Sequence, residues 1–548
     1  MDSLKDLPAL SAASLWQQGF ACVQRQQYAA GIALYKQALQ RPGRLSVELL
    51  LYLAEAYKLD NQLWLAAEAI NEACRLLELE GGQSSEEFRL SLRMRQGEYN
   101  RLVGRLDKAL EGYSRAAELY GAEKIWAKSS AYGSYLLTFA CRDASLEAFR
   151  QAVYGYDRLM AEDMGAEKLP VRRRRPSGKI RVGYMSGDFR QHVMFAFYYI
   201  MLAGYDKNSF HVICYSLSDH DDGYTEHLQG LADGWRPVAG CSLEELARQI
   251  AEDEIDILVD LSGHSAGSGL PVFALRPAPV QISGLGWMET TGFRHADYLI
   301  TDACLDGKAE AYQSYLRERP LFLTSQFCYV GRQDVPEPKT APCEKNGSIT
   351  FGSFNSYHKI TAAMVAVWSR ILQKVPGAKL FLKCQVFIDA RVQAEVKKRF
   401  ALHGIAAERL ILEAATADYM ERYLALDIAL DTYPYTGGGT TLDALYMGVP
   451  VVSLYGRRRG SRFGLSILTN AGLPELAVDS EEAYISRAVA LAQDRELLNG
   501  LHLTLRRILH GSQVMNGKKY MAELESRYRQ LMADGNFQAL QPCCGMKS

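Results

Sequence analysis

From the N-terminus to Met160 the apolar residues recur at intervals of three and four. From Lys179 onward they gather instead into short β-branched runs separated by helical segments. The first pattern buries one stripe of a helix, and the second is that of strands joined by helical crossovers. In the helical part, YAAGIALYKQALQR from Tyr28, LWLAAEAINEACRL from Leu63 and LDKALEGYSRAAEL from Leu106 are alike. They place Ala38, Ala73 and Ala116 at equivalent points, spaced by 35 and then 43 residues, the second interval enlarged by an insert near EGGQSSEE. A period of about 34 with small and aromatic residues at fixed places predicts helix pairs of the tetratricopeptide type. Such a stack either presents a concave surface to a protein or peptide, or serves as a stalk packed on the next domain. Two further helices, AKSSAYGSYLLTFACRD and LEAFRQAVYGYDRLM, lead into VRRRRPSGK at Val171 to Lys179. Flanked by Pro and Gly and lacking interleaved aromatics, this four-arginine run reads as a solvated linker.

The strand-like runs fall into two series. IRVGYMS, FHVICYSL, DILVDLSG and PVQISGLG form the first; SITFGSF, KLFLKC, RLILEA, DIALDTY and VVSLYG form the second. Each series predicts a doubly wound parallel sheet, the two joined near CEKNGS at Cys343. The expected fold is therefore α/β, two Rossmann-like halves facing a cleft, preceded by an all-α repeat domain. The expected boundaries are residues 1–170 for the repeat domain and connecting helices, and 171–178 for the basic linker. The N-terminal half then takes 179–342, the C-terminal half with its closing helices 343–532, and a tail 533–548.

Length agrees with several domains, since 548 residues exceed what one core buries. A net charge of −1 leaves no global electrostatic footprint for nucleic acid or an acidic membrane. The opening MDSLKDLPALSAASLWQQ has no basic stretch followed by an apolar core, and no window approaches a membrane span, so a soluble, cytoplasmic protein is expected. Eleven cysteines are scattered singly apart from Cys543 and Cys544, without the paired spacing of a zinc site, which suits a reducing compartment.

Candidate chemistry concentrates after the strands. In DTYPYTGGGTTLDALYMGVPVV, Asp431 to Val452, a buried strand gives way to three glycines and then a helix that ends at Gly448. A helix N-terminus without obstructing Cβ atoms presents N–H groups and a positive dipole end to a phosphate. The alternative is a tight turn in which Thr440 caps the helix and Asp443 completes a capping box. The loop is neither a P-loop nor GxGxxG. Lys359 in FGSFNSYHKI stands at a helix start, where a lysine opposes the dipole unless an anion lies between it and the glycine loop. Tyr419, after RLILEA, offers a ring to a flat base, and Asp443 a carboxylate to ribose. In the first half, His192 in SGDFRQH and Gly263 with His264 in DLSGHSAG lie beyond strand ends. Either histidine suits a general base or a structural role, while Asp260 and Asp256 either orient a base or end a strand. The lone DxD, Asp219 with Asp221 in SDHDDG, reads as an exposed loop. A phosphate loop, a lysine, an aromatic and a ribose-binding carboxylate facing histidines across a cleft describe a nucleotide-sugar glycosyltransferase. No metal is expected, since lysine and helix dipole stabilise the departing diphosphate.

ALRPAPVQISGLGWMETTGFRHADYLITD (Ala274 to Asp302), FNSYHKI, the glycine-loop stretch and SRFGLSILTNAGLPEL resemble the O-linked N-acetylglucosamine transferase family, glycosyltransferase family 41, over about Lys179 to Leu531. The resemblance implies a GT-B fold, a tetratricopeptide front end, and inverting, metal-independent transfer from UDP-N-acetylglucosamine to Ser or Thr hydroxyls. It assigns His192 as base or organiser, Lys359 with Gly438, Gly439, Thr440 and Thr441 to the diphosphate, and Asp443 to ribose. Gly263, His264, Leu285, Gly286 and Met288 fall to the sugar and acceptor pocket. The chain departs from the family at three places. Trp287, Met288 and Glu289 replace the common YPG, Gly439 stands where animal members have a histidine, and Tyr419 where they stack a histidine on uracil. Rivals of the same fold are a GDP-fucose protein transferase and an Asn-directed transferase. A repeat-based binding scaffold without catalysis is the rival of another class. The expected partners are the nucleotide sugar and a protein acceptor held by the repeats, flagellin or another surface protein by analogy with bacterial relatives, with a homo-oligomer also open.

Overall fold

The computed structural model describes residues 11–41, 46–79, 84–161, 178–307, 315–332 and 334–533. The four-arginine run, part of the EGGQSSEE insert and the Cys543–Cys544 pair lie outside them. The front of the chain folds as helical hairpins: α1 (Ala12–Gln24) with α2 (Tyr28–Leu39), α3 (Ser46–Leu59) with α4 (Leu63–Leu79), α5 (Glu86–Leu102) with α6 (Leu106–Leu119), then α7 (Ile125–Phe139) and α8 (Leu146–Ala161). The repeat is physical as well as textual. Gln26, Asn61 and Gly104, spaced like the three alanines, each take a positive φ in the hairpin turn. Ala38, Ala73 and Ala116 are fully buried. Gly19 and Gly97 leave room for Tyr35 and Tyr113, whose rings a Cβ would meet at 2.7 and 2.5 Å.

Among the described residues, the first half holds β1 (Ile180–Ser186), β2 (Phe210–Ser216), β3 (Gly234–Pro237), β4 (Ile257–Asp260), β5 (Val280–Ser283), β6 (Tyr298–Asp302) and β7 (Arg319–Leu323), all parallel, in the order β3-β2-β1-β4-β5-β6-β7. The second holds β8 (Thr350–Ser353), β9 (Lys379–Lys383), β10 (Leu410–Glu413), β11 (Ile428–Leu430), β12 (Val451–Leu454) and β13 (Ala477–Val478), in the order β10-β9-β8-β11-β12-β13. The sequence pattern predicts nine of these strands; β3, β6, β7 and β13 are additions. In both sheets the winding direction reverses beside the first strand, between β1 and β4 and between β8 and β11. Ligands of such sheets bind outside the strand carboxyl ends at that reversal.

Several contacts tie the parts together. Arg459, fully buried and carried on the loop after β12, donates to Asp306 Oδ2 at 2.9 Å, to Ile300 O at 2.8 Å and to Gln326 Oε1 of the first half. The helix Gly517–Ala533 returns to the first sheet: Glu525 accepts from Asp206 N at 2.7 Å and Arg527 donates to Phe322 O at 3.0 Å. The last of the closing helices therefore packs on the half that begins the α/β region. The helical hairpins touch both halves. Trp64 N donates to Asp389 at 2.8 Å, and Arg294 Nε donates to Asp157 of α8 at 2.8 Å. Among the described residues no helix is long and apolar enough to cross a membrane.

Candidate active site

The glycine loop owes its shape to Asp431, the residue after β11. Its Oδ1 accepts from Thr432 N at 2.8 Å and Gly437 N at 2.7 Å, while Oδ2 accepts from Ser453 Oγ at 2.7 Å. Burial pushes its carboxyl up to about 6 against those bonds and the Lys359 charge. The following helix, Gly439–Tyr446, has Gly438 as its N-cap with no side-chain cap. The capping-box alternative is therefore corrected: Thr440 lies inside the first turn, and its Oγ1 donates to Asn355 Oδ1 at 3.2 Å. Thr441 Oγ1 donates back to Gly437 O at 3.1 Å. Uncapped N–H groups at this end are left for a ligand.

Lys359 reaches this end from the other side. It closes a 3-10 turn, Tyr357–Lys359, that precedes the helix Ala362–Lys374, and its Nζ lies 3.4 Å from both Asn355 Oδ1 and Thr436 O. The ammonium also stands 3.7 Å from the centroid of the Tyr435 ring. Burial holds its pKa below the usual lysine range, so an anion placed here would restore the favourable charge.

A cavity of about 200 Å³ opens at this point, between the halves. Lys359, Tyr435, Gly438, Gly439, Thr440 and Phe463 line it from the second half; Val193, Met194, Phe197, Leu285, Gly286, Trp287, Met288 and Phe327 line it from the first. Its polar groups sit at the glycine-loop end and its remaining wall is apolar.

The other expected residues are placed as follows. His192 lies in the loop between β1 and α9 (Phe195–Ala203), next to the cavity residues Val193 and Met194. Its Nδ1 lies 3.6 Å from Asp188 Oδ2 and 3.4 Å from Met194 N, leaving Nε2 for another partner. Burial lowers its pKa against the pull of Asp188, so the ring is neutral at pH 7. Gly263, His264, Tyr419, Thr441 and Asp443 do not line the cavity. Gly263 turns with φ 57° and donates to Asp260 at 2.5 Å, and a Cβ there would strike Trp287. His264 is buried, bonds Thr291 O through Nε2 at 2.7 Å, and is held neutral by burial with a pKa of about 4. Asp256 accepts from Arg181 N at 2.9 Å. Tyr419 opens a short helix, with the Arg332 guanidinium 4.9 Å from its ring. Asp443 is buried, and both its oxygens accept from phenols: Oδ1 from Tyr329 at 2.6 Å, Oδ2 from Tyr419 at 3.2 Å. Asp219 and Asp221 lie in an exposed loop, whose Asp222 caps the helix Gly223–Gln229.

Asp431, Asn355 and Phe463 escaped sequence reasoning. Asp431 carried a signal, an acidic residue at a strand's carboxyl end opening the glycine loop. Asn355 and Phe463 did not, because their roles depend on contacts to Thr440 and across the cavity.

Comparison with known proteins follows the same lines. The profile of glycosyl transferase family 41 matches residues 135–334 and 342–524. The Arabidopsis thaliana protein described as a probable UDP-N-acetylglucosamine–peptide N-acetylglucosaminyltransferase, SPINDLY, is 35% identical over 399 residues, covering 71% of this chain and 43% of that protein. SEC, described in the same words from the same plant, is 28% identical over 371 residues, covering 66% and 38%. The chain thus spans about two-fifths of the length of these curated relatives. A solved structure of Thermobaculum terrenum O-GlcNAc transferase, a lysine-to-methionine mutant, aligns with a TM-score of 0.79 at 28% identity, covering 95% of this chain and 97% of that one.

Proposed function

The chain belongs to glycosyl transferase family 41, and from that premise we propose that it transfers a single sugar, N-acetylglucosamine, from its UDP donor to Ser or Thr hydroxyls of a protein acceptor. The observation that carries the reading is the cavity end where Lys359 Nζ and the uncapped turn at Gly438–Thr440 converge. A diphosphate held there points its sugar toward the Leu285–Met288 wall. The acceptor oxygen attacks the anomeric carbon from the opposite side, the bond to the diphosphate oxygen breaks with inversion, and the hydroxyl proton passes to the neutral His192 imidazole, directly or through water. Lys359 and the helix N–H groups take up the negative charge of the leaving UDP, so this reading needs no metal. Asp443 fixes Tyr419, whose ring offers a face to the base. The helical hairpins hold the acceptor, with flagellin as one candidate, and the unpaired cysteines of the described residues support a reducing, cytoplasmic setting.

Calorimetry with UDP and GDP, beside Lys359→Ala, tests this. UDP should bind, and the variant should bind it weakly and lose transfer by about 10²-fold or more. A GDP preference would bring the fucose reading forward. Near-normal turnover of a folded Lys359→Ala protein would sink the phosphate assignment. Mapping the modified residue separates Ser or Thr from Asn, and absence of nucleotide release with acceptor present would leave the scaffold reading.

A further inference from the structure

Glu289 replaces the last residue of the YPG run common in the resembled family, and it is 1% exposed. A lone buried carboxylate is costly unless something compensates it. Its Oε1 accepts no well-formed hydrogen bond; Arg458 Nη1 stands 4.0 Å from it, and the Gly460 N–H beside it also favours the carboxylate. Its Oε2 accepts from Tyr315 OH at 3.5 Å, and that phenol accepts from Arg459 N at 2.9 Å. Gly460 closes over the carboxylate so tightly that a Cβ would lie 2.8 Å from Oε1 and 3.1 Å from Met288 Cγ.

Arg458 is held on three sides. Its backbone belongs to the loop after β12, its Nη2 donates to Ala140 O at 2.9 Å and Arg142 O at 3.2 Å between α7 and α8, and its guanidinium stands 4.6 Å from the Phe149 ring centroid. The same loop grips the phosphate end. Gly460 O accepts from Thr436 Oγ1 at 2.9 Å and Thr436 N at 3.3 Å, and Thr436 O is the oxygen 3.4 Å from Lys359 Nζ.

We propose that Glu289 is a positioning residue for sugar transfer. Its carboxylate, facing Arg458, fixes the Arg458–Gly460 segment and, through Thr436, the glycine loop and Lys359 against the Met288 wall, at the point where the helical hairpins are also anchored. This rests on the reading of the cavity as the nucleotide-sugar site. The charged and titratable groups facing Glu289 are Arg458 and Arg459 from the loop after β12, Asp306 from the segment after β6, and the phenols of Tyr315 and Tyr435. Asp306 is already engaged by Arg459 at 2.9 Å. Burial raises Glu289 to about 7 while Arg458 pulls it down. Falling pH therefore protonates Glu289 near neutrality, removes its attraction for Arg458 and loosens the loop. His192, which burial keeps below its ordinary value of 6.5, gives a separate limb at lower pH.

The test is the pH profile of kcat/KM for nucleotide release with acceptor, from pH 5 to 9, for wild type, Glu289→Gln and Arg458→Lys, each checked for fold by circular dichroism. Wild type should show an acid limb near pH 7 above the His192 limb. Glu289→Gln should lose that limb, retain the lower one, and turn over about tenfold or more slowly at pH 8, the scale on which small misplacements cost rate. Arg458→Lys, with a shorter cation that cannot make the forked bonds to Ala140 and Arg142, should move the limb to higher pH. A purely structural Glu289 would alter thermal stability and leave the limb in place. A persistent limb in folded Glu289→Gln, or an unmoved one in Arg458→Lys, overturns the proposal. Wild type that releases nucleotide from no UDP- or GDP-sugar fails the parent reading, and the proposal with it, before either variant is made.

Discussion

A methyl group added at Gly439 would lie 2.6 Å from Val193 Cγ2, closer than real Cβ contacts come. The glycine therefore lets the loop after β1 set Val193 against the glycine loop of the opposite half. Val193 occupies the space that a side chain at position 439 would use. Gly439→Ala should weaken UDP binding about tenfold, and adding Val193→Ala should restore most of it, because the two changes share one contact and are not additive. Calorimetry on the two single variants and the double variant measures the coupling, and independent, additive losses would refute it. The histidines teach a related lesson at the same scale. His192 and His264 both follow strands, and their positions in the sequence were equivalent. Their burial separates them: His264 is spent on Thr291 O at 2.7 Å, whereas His192 is one residue from the cavity wall. Sequence position places a residue at the carboxyl end of a strand without saying which way its side chain turns.

At the scale of elements, the loop between β11 and the Gly439–Tyr446 helix is organised from behind by Asp431. The glycines allow the shape, and two backbone N–H groups and a serine hydroxyl converging on one carboxylate select it. Asp431→Asn keeps the volume but turns one oxygen into a donor, which faces an N–H or hydroxyl donor. The variant should fold, bind UDP about tenfold less tightly, and show more proteolytic cutting between Thr432 and Gly437; unchanged affinity would mean that the glycines suffice. Most of the elements were readable from sequence for a definite reason. The buried strands near each sheet's centre are mostly apolar runs such as IRVGYMS and VVSL, and the repeat helices carry an apolar stripe. The four unread strands lack that signature. GWRP ends in proline beside a sheet edge, RPLFL begins with charge and proline, Ala477–Val478 is two residues long, and YLITD closes on the acidic Asp302, which caps the next turn. The first three are edge strands, where only one side must pair, whereas YLITD is paired on both sides and differs from the central strands by its acidic end. The strand–glycine–helix signal was likewise local and readable, whereas the apolar wall that completes the cavity is assembled from three separate segments of the other half and had no local signature.

At the scale of the molecule, the cleft is useful only if the two sheets keep a fixed relation, and one arginine bears much of that. Arg459 is fully buried, and removing it strands the charge of Asp306 (1% exposed), which keeps only the Thr301 hydroxyl, and takes a donor from Gln326 Oε1 and Ile300 O inside the interface. Breaking one side of a buried ion pair costs about 3–5 kcal/mol, because the remaining charge is stranded. Arg459→Ala should lower unfolding stability by about that much. Arg459→Met with Asp306→Asn should recover a good part of it, since a neutral pair strands no charge. Urea denaturation followed by far-ultraviolet dichroism distinguishes the outcomes through its shape as well as its midpoint. If Arg459 couples the halves, wild type unfolds in one transition and Arg459→Ala separates into two, the second half persisting because its own core stays intact. Loss of less than about 1 kcal/mol with a single transition would place the coupling elsewhere, in the returning Gly517–Ala533 helix and its Glu525 and Arg527 contacts. The expected result carries a functional consequence. Halves locked by buried charge do not hinge freely, so on the function proposed above donor and acceptor would enter by movement of the loops that line the cavity, those carrying Val193, Met288 and Gly439.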